Sequence, residues 1–250
     1  EAFVAYFKMR FAEIPFEEYS NGIYAIDPDA REQWQEIEEF PPYEFSIDEG
    51  ESLWGETFAD GKTYADCFEN SEAGVRQFFP KFDSHRGEVV TMEMAINLCR
   101  EKHGEKAFMY GGDQIVSLSA YMAFKSRGNT IAIEVAKADP KALAAYEEGK
   151  RFYYTKRGQL NFSCSDCHVL SAGQYVRADR LSASLGHPTH FPVYRSKLGK
   201  VISLHQRFYG CVRDVRAKPF ELQSKEFRNL EYFLTYMSNG LEVNGPGSRK

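Results

Sequence analysis

The sequence predicts an all-helical chain built as two tandem copies of one small domain, preceded by an N-terminal extension. Three observations predict it. The first is an internal duplication: at a constant offset of 112, residues 79–128 align without a gap to residues 191–240, and Phe79, Pro80, Gly87, Cys99, Phe108, Leu118, Ser126 and Gly128 recur as Phe191, Pro192, Gly199, Cys211, Phe220, Leu230, Ser238 and Gly240. The second is helical periodicity. Phe227, Leu230, Leu234 and Met237 form an apolar stripe between Ser224, a suitable N-cap, and Gly240 just past the end. The third is Cys164-Ser165-Asp166-Cys167-His168. C-x-x-C-H is the spacing that attaches haem: the thiols add across the vinyl groups and the histidine offers an axial nitrogen. A thioredoxin-like redox pair would open a helix inside a βαβ unit, and a zinc site would need a second Cys/His pair at short spacing; the sequence has neither.

Residues 1–47 read as an extension punctuated by Pro15, Pro28, Pro41 and Pro42, with a stripe of Phe3, Phe7 and Phe11 expected to pack on the domains behind it. Residues 48–138 form the first copy, whose opening helix is expected near Asp48 and includes Leu53 and Trp54. At an offset of 100, Tyr64 stands where Cys164 does and Phe68 where His168 does, so this copy cannot hold haem in the same way. It keeps Cys67 and Cys99, which would face each other across the vacated cavity and are expected to form a disulfide. Residues 139–250 form the second copy. Asp139-Pro140 caps and starts a helix carried by Leu143, Ala144 and Tyr146 toward Gly158. After each haem or former haem motif the pattern gives a Gly/Pro-rich loop, then a short helix at 91–100 or 203–211, then a longer one at 113–127 or 224–239. That outline is the c-type cytochrome domain built twice, the first copy degenerate.

With 250 residues, 43% of them hydrophobic, the chain can bury two cores, and it has no apolar run long enough for a membrane span. Its net charge of −5 gives no footing for nucleic acid, yet residues 161–250 hold 13 Lys and Arg against 7 Asp and Glu, a balance of +6. The haem half is cationic, as a mouth that gathers a small anion would be. No signal peptide is visible, and covalent haem together with a disulfide points outside the cytoplasm, as expected for the mature form of an exported protein.

The group opposite His168 decides between a carrier and an enzyme. Met237 is the only methionine downstream, but it lies on a core stripe; His187, His190 and His205 can also ligate; Cys211 is supported by the duplication, as the counterpart of Cys99. Four segments, Glu39-Phe40-Pro41-Pro42-Tyr43, residues 61–68, Cys164 to His168, and Arg207-Phe208-Tyr209-Gly210-Cys211 with Arg216-Ala217-Lys218-Pro219-Phe220, resemble the SoxA subunits of the SoxAX cytochromes of bacterial thiosulfate oxidation. The resemblance covers nearly the whole chain and matches the type with a single haem c. It implies a periplasmic heterodimer with a second cytochrome, SoxX. It also implies L-cysteine S-thiosulfotransferase activity, the oxidative joining of thiosulfate to a cysteine of the SoxYZ carrier. The cysteine matching Cys211 is, in that family, the sixth haem ligand, often carrying a persulfide.

The residues support this chemistry on their own account. Arg207 and Cys211 are four apart on an expected helix and share a face. A guanidinium beside a sulfur favours its deprotonated form and can grip an oxyanion. Arg207 could instead pair with Asp214 or Glu231, while Arg213, Arg216 and Lys218 extend the basic surface. The competing function is a haem c electron carrier with His/Met ligation and no sulfur chemistry; a peroxidase would need an open distal face and normally a second haem.

Overall fold

The computed structural model describes residues 2–136 and 138–249. The extension holds α1 (Ala2–Arg10), a 3-10 segment at Phe16–Ala25 and α2 (Pro28–Glu38), whose N-cap Asp27 accepts from the Ala30 amide at 3.0 Å. The first domain runs through α3 (Glu44–Trp54), a hairpin of β1 (Lys81–Asp83) and β2 (Glu88–Val90), α4 (Met92–Lys102) and α5 (Asp113–Lys125). The second repeats the order with α6 (Pro140–Tyr154), a short hairpin of β3 (Tyr175–Val176) and β4 (Asp179–Arg180), a hairpin of β5 (Val193–Arg195) and β6 (Lys200–Ile202), α7 (Leu204–Asp214) and α8 (Lys225–Met237). The chain closes with β7 (Gly247–Arg249), parallel to β5.

The hairpins β1–β2 and β5–β6, and the helix pairs α4/α7 and α5/α8, begin and end 112 residues apart. Two cytochrome c-like domains in tandem follow from this. Helix α3 starts at Glu44, ahead of the expected Asp48, and α6 stops at Tyr154, where Thr155 turns to an extended backbone, rather than reaching toward Gly158. The caps read from sequence are present, Asp139 accepting from Lys141 at 2.9 Å and Ser224 from Phe227 at 3.4 Å; in addition, Ser203 forms a reciprocal capping box with Gln206.

Each domain has its opening helix crossed against its last. A Cβ added to Gly50 of α3 would stand 2.1 Å from the Ser117 carbonyl oxygen of α5, and one on Gly149 of α6 would stand 1.9 Å from the Asn229 carbonyl oxygen of α8. Only glycine permits so close an approach of the two backbones. One core gathers Tyr64, Phe68, Met92, Ile96 and Leu118, a second gathers Tyr153, Phe191, Phe208, Phe227, Leu230 and Phe233, and α1 covers the second domain through Phe7, Tyr19 and Leu185. The Phe3, Phe7 and Phe11 stripe packs there, as expected.

In the first domain the space that haem would need is filled. Tyr64, at the place of Cys164, is fully buried, stacks on Trp54 with ring centres 5.8 Å apart, and accepts from Arg100 at 2.8 Å. Phe68, at the place of His168, packs on Trp54 and Phe79. Cys67 and Cys99 are disulfide-bonded.

A buried polar cluster ties the domains together. Arg76 of the first lies 3.4 Å from Glu231 Oε1 of α8, whose other oxygen is 3.1 Å from His205 Nε2 of α7. The Gln223 amide donates to His205 Nδ1 at 3.1 Å, which places the ring proton on Nε2, facing Glu231. Gln223 in turn accepts from Thr91, the cap of α4, at 2.7 Å. The start of α7 is thereby fixed against both domains.

Candidate functional site

The C-x-x-C-H motif opens just after Ser163, whose amide and hydroxyl both donate to Asp166, at 2.8 and 2.9 Å. This local bonding tightens the chain into the wide turn Asp166–Leu170 that carries Cys167 and His168. Cys164 and Cys167 are free, half-buried thiols. His168 Nδ1 lies 3.0 Å from the Ser182 carbonyl oxygen, an acceptor only, so Nδ1 carries the proton and Nε2 keeps its lone pair. Burial, aided by the charge of Arg207, holds the His168 pKa at about 4 against the bond from the Ser182 carbonyl, so the ring is neutral, the form that ligates metal. The backbone behind it is fixed by Ser184, whose amide donates to the His168 carbonyl at 3.0 Å and whose hydroxyl meets the buried Tyr153 hydroxyl.

Helix α7 brings Cys211 to the motif. Burial pushes the Cys164 thiol up to about 12, with Cys211 the next cause, and the Cys167 thiol is raised by burial and then by Cys211. Cys211 is thus within electrostatic reach of both cysteines of the motif. Arg207, half-buried on the same helix, directs its guanidinium toward the C-terminal end: Nη1 lies 3.6 Å from where a Cβ on Gly210 would sit. The carboxylates that could have claimed Arg207 are engaged elsewhere, Asp214 with Arg213 at 3.9 Å and Glu231 with Arg76 and His205. Arg213, Arg216 and Lys218 are exposed.

The other candidate ligands are held away from this arrangement. His187 sits edge-on to His168 with ring centres 4.4 Å apart and bonds the Ser182 hydroxyl at 2.8 Å, so it lies on the His168 side. His190 is buried beside Gly22, near Arg249. Met237 accepts from Tyr146 at 3.6 Å and packs on the second core, in line with its place on the apolar stripe.

A pair of thiols three apart, a neutral imidazole with a free Nε2 and a thiol within reach of both is a donor set that suits haem c. A scan of family models matches residues 49–131 and 148–243 to the SoxA/TsdA cytochrome c domain. The chain belongs to that family. The SoxA/TsdA assignment is consistent with curated relatives. The L-cysteine S-thiosulfotransferase subunit SoxA of Allochromatium vinosum is 55% identical over 249 residues, covering 100% of this chain and 88% of the relative. The protein of the same name from Chlorobaculum tepidum is 51% identical, covering 100% and 86%. Among solved structures, SoxXA from P. pantotrophus aligns with a TM-score of 0.79 at 32% identity over 88% of this chain and 84% of that one.

Arg195, which sequence reasoning did not single out, lies near Arg207 and Cys211. It ends β5, half-buried, with Arg207, Asp179 and Cys211 among its electrostatic neighbours. A signal was present in the duplication: 112 positions earlier, Arg195 and Arg207 correspond to Asp83 and Ala95, so both cations are found only in the copy that keeps the haem motif.

Proposed function

We propose that this chain is the SoxA subunit of an L-cysteine S-thiosulfotransferase, which joins thiosulfate oxidatively to a cysteine of a carrier protein of the SoxYZ kind. The observation that carries the reading is the placement of Cys211, with Arg207 along its helix, within reach of the C-x-x-C-H segment. Cys164 and Cys167 would hold one haem c covalently, and His168 and Cys211 would supply ligands to its iron. The group would serve as acceptor for the electrons that sulfur oxidation releases.

Arg207 holds the sulfonate oxygens by charge-assisted hydrogen bonds and favours the deprotonated sulfur on Cys211. An S–S bond forms between Cys211 and the terminal sulfur of thiosulfate as two electrons depart. The carrier thiol then displaces Cys211 from that sulfur by exchange, releasing one proton and regenerating the Cys211 thiolate. The product is a carrier cysteine S-thiosulfonate, in which the carrier sulfur is joined to the former terminal sulfur of thiosulfate. The neutral, carbonyl-bonded His168 keeps its tautomer throughout.

In this proposal residues 1–47 are an extension, 48–138 the domain without haem and 139–250 the haem domain, and the mature protein works in the periplasm beside a SoxX-like cytochrome. The likeness to SoxXA supports such a partner. The test is the mass of the carrier's cysteine peptide after incubation with thiosulfate, the two-cytochrome complex and an external acceptor. The S-thiosulfonate adduct should form in step with acceptor reduction; reduction without adduct would return the chain to the electron carriers.

A further inference from the structure

The small sheet beside α7 sets three cations in one row. Arg195 of β5 is in register with Lys200 of β6 on one side and with Arg249 of β7 on the other. In-register partners share a face of a sheet, and like charges placed there repel. Arg249 is buried and well accounted for: it donates to the Ser248 carbonyl at 2.7 Å and the Asn21 carbonyl at 3.0 Å, and lies over the Tyr24 ring at 4.3 Å. Arg195 is not. Among the described residues its half-buried guanidinium has no ion-pair or hydrogen-bond partner, and neither has that of Arg207. Asp179, the acid near them both, is exposed and bonded to Lys197 at 2.8 Å.

Two half-buried guanidiniums near each other, with no protein partner among the described residues, repel each other and together favour an anion between them. The copy without the motif has Asp83 and Ala95 in their places.

We infer that Arg195 is a second anion-binding residue of the site, which together with Arg207 grips the sulfonate end of a small sulfur oxyanion and leaves its terminal sulfur at Cys211. The inference rests on the proposed function and adds to it the group that selects a dianion. It also separates the two arginines by role. Arg207 shares a helix with Cys211 and moves with it, whereas Arg195 is anchored in the sheet and fixes the far side of the anion.

A carboxylate of haem has the same chemistry as a sulfonate, so the experiment measures both. In the assembled haem-loaded complex, the Kd for radiolabelled thiosulfate and the haem midpoint potential are measured for wild type, Arg195→Gln, Arg195→Lys and Arg207→Ala. Arg195→Gln should raise the thiosulfate Kd about tenfold or more, as loss of a charge-assisted contact does. Arg195→Lys should recover part of the affinity, and the potential should stay at its wild-type value in both. An unchanged Kd in Arg195→Gln, with Arg207→Ala weakened, overturns the inference alone. A shifted potential with unchanged Kd overturns it in favour of a haem carboxylate. If wild type binds no thiosulfate, it falls together with the functional reading.

Discussion

Glu231 Oε2 lies 3.1 Å from His205 Nε2 in a site closed to solvent, with Arg76 of the other domain on the opposite oxygen. Burial raises the Glu231 carboxyl, but the His205 Nε2–H facing it and the charge of Arg76 outweigh it and hold its pKa below the ordinary value. The stability it contributes is therefore present above pH 4.5 and is lost as pH falls through the lower folded value. Glu231→Gln should cost about 3–5 kcal/mol at pH 7, because it leaves the buried Arg76 guanidinium facing a neutral amide. Denaturant unfolding checks this.

Glu93 sits in the same cluster with the opposite sign. Burial first, and then the charge of Glu231, push its pKa up. Its contribution is fully present below pH 4.5 and declines as pH rises through the raised folded value, by at most about 1.4 kcal/mol per pH unit. Glu93→Gln should flatten that decline and stabilise the protein at neutral pH, as read from unfolding curves across pH 4.5–8.

The Cys67–Cys99 link closes a separation of 32 residues in the domain that lacks the haem motif. Cys67→Ser with Cys99→Ser should cost about 2–4 kcal/mol, since the cross-link restricts the unfolded chain. Thiol titration of protein purified without reductant should find neither sulfur free; the comparison of unfolding midpoints with and without reductant gives the energy.

The helix crossings are tested by single methyl groups. Gly149→Ala and Gly50→Ala each drive a Cβ into a carbonyl oxygen and should cost about 1–3 kcal/mol or more. Gly55→Ala is the control. Its Cβ would have no neighbour nearer than 3.5 Å and its φ of −76° suits alanine, so stability should hold or rise.

Most of the fold was legible because its determinants are local or repeated. Capping residues at Asp139, Ser203 and Ser224 and the 112-residue offset fix the starts of α6, α7 and α8 without reference to distant chain. Cys164, Cys167 and His168 were legible as a motif, and Cys211 and Arg207 through the duplication and their spacing. The strand β7 was not: residues 247–249 pair with β5 across some fifty residues, and no local pattern announces a parallel partner. Arg195 went unread for the same reason, since its neighbours Arg249, Arg207 and Asp179 meet it only when the sheet and α7 are assembled. The His205–Glu231–Arg76 cluster, spanning two domains, likewise has no signature in the linear chain.

The central claim is that the Cys211 sulfur, held in reach of the motif, is where thiosulfate is joined. Cys211→Met is the informative change, because the proposed haem anchors, Cys164 and Cys167, are left untouched by it. The measurement is the yield of S-thiosulfonate on the carrier cysteine, by mass, for wild-type and Cys211→Met complexes with equal haem content. Loss of the adduct together with an altered haem absorption spectrum is the predicted result; full adduct yield with an unchanged spectrum would contradict it.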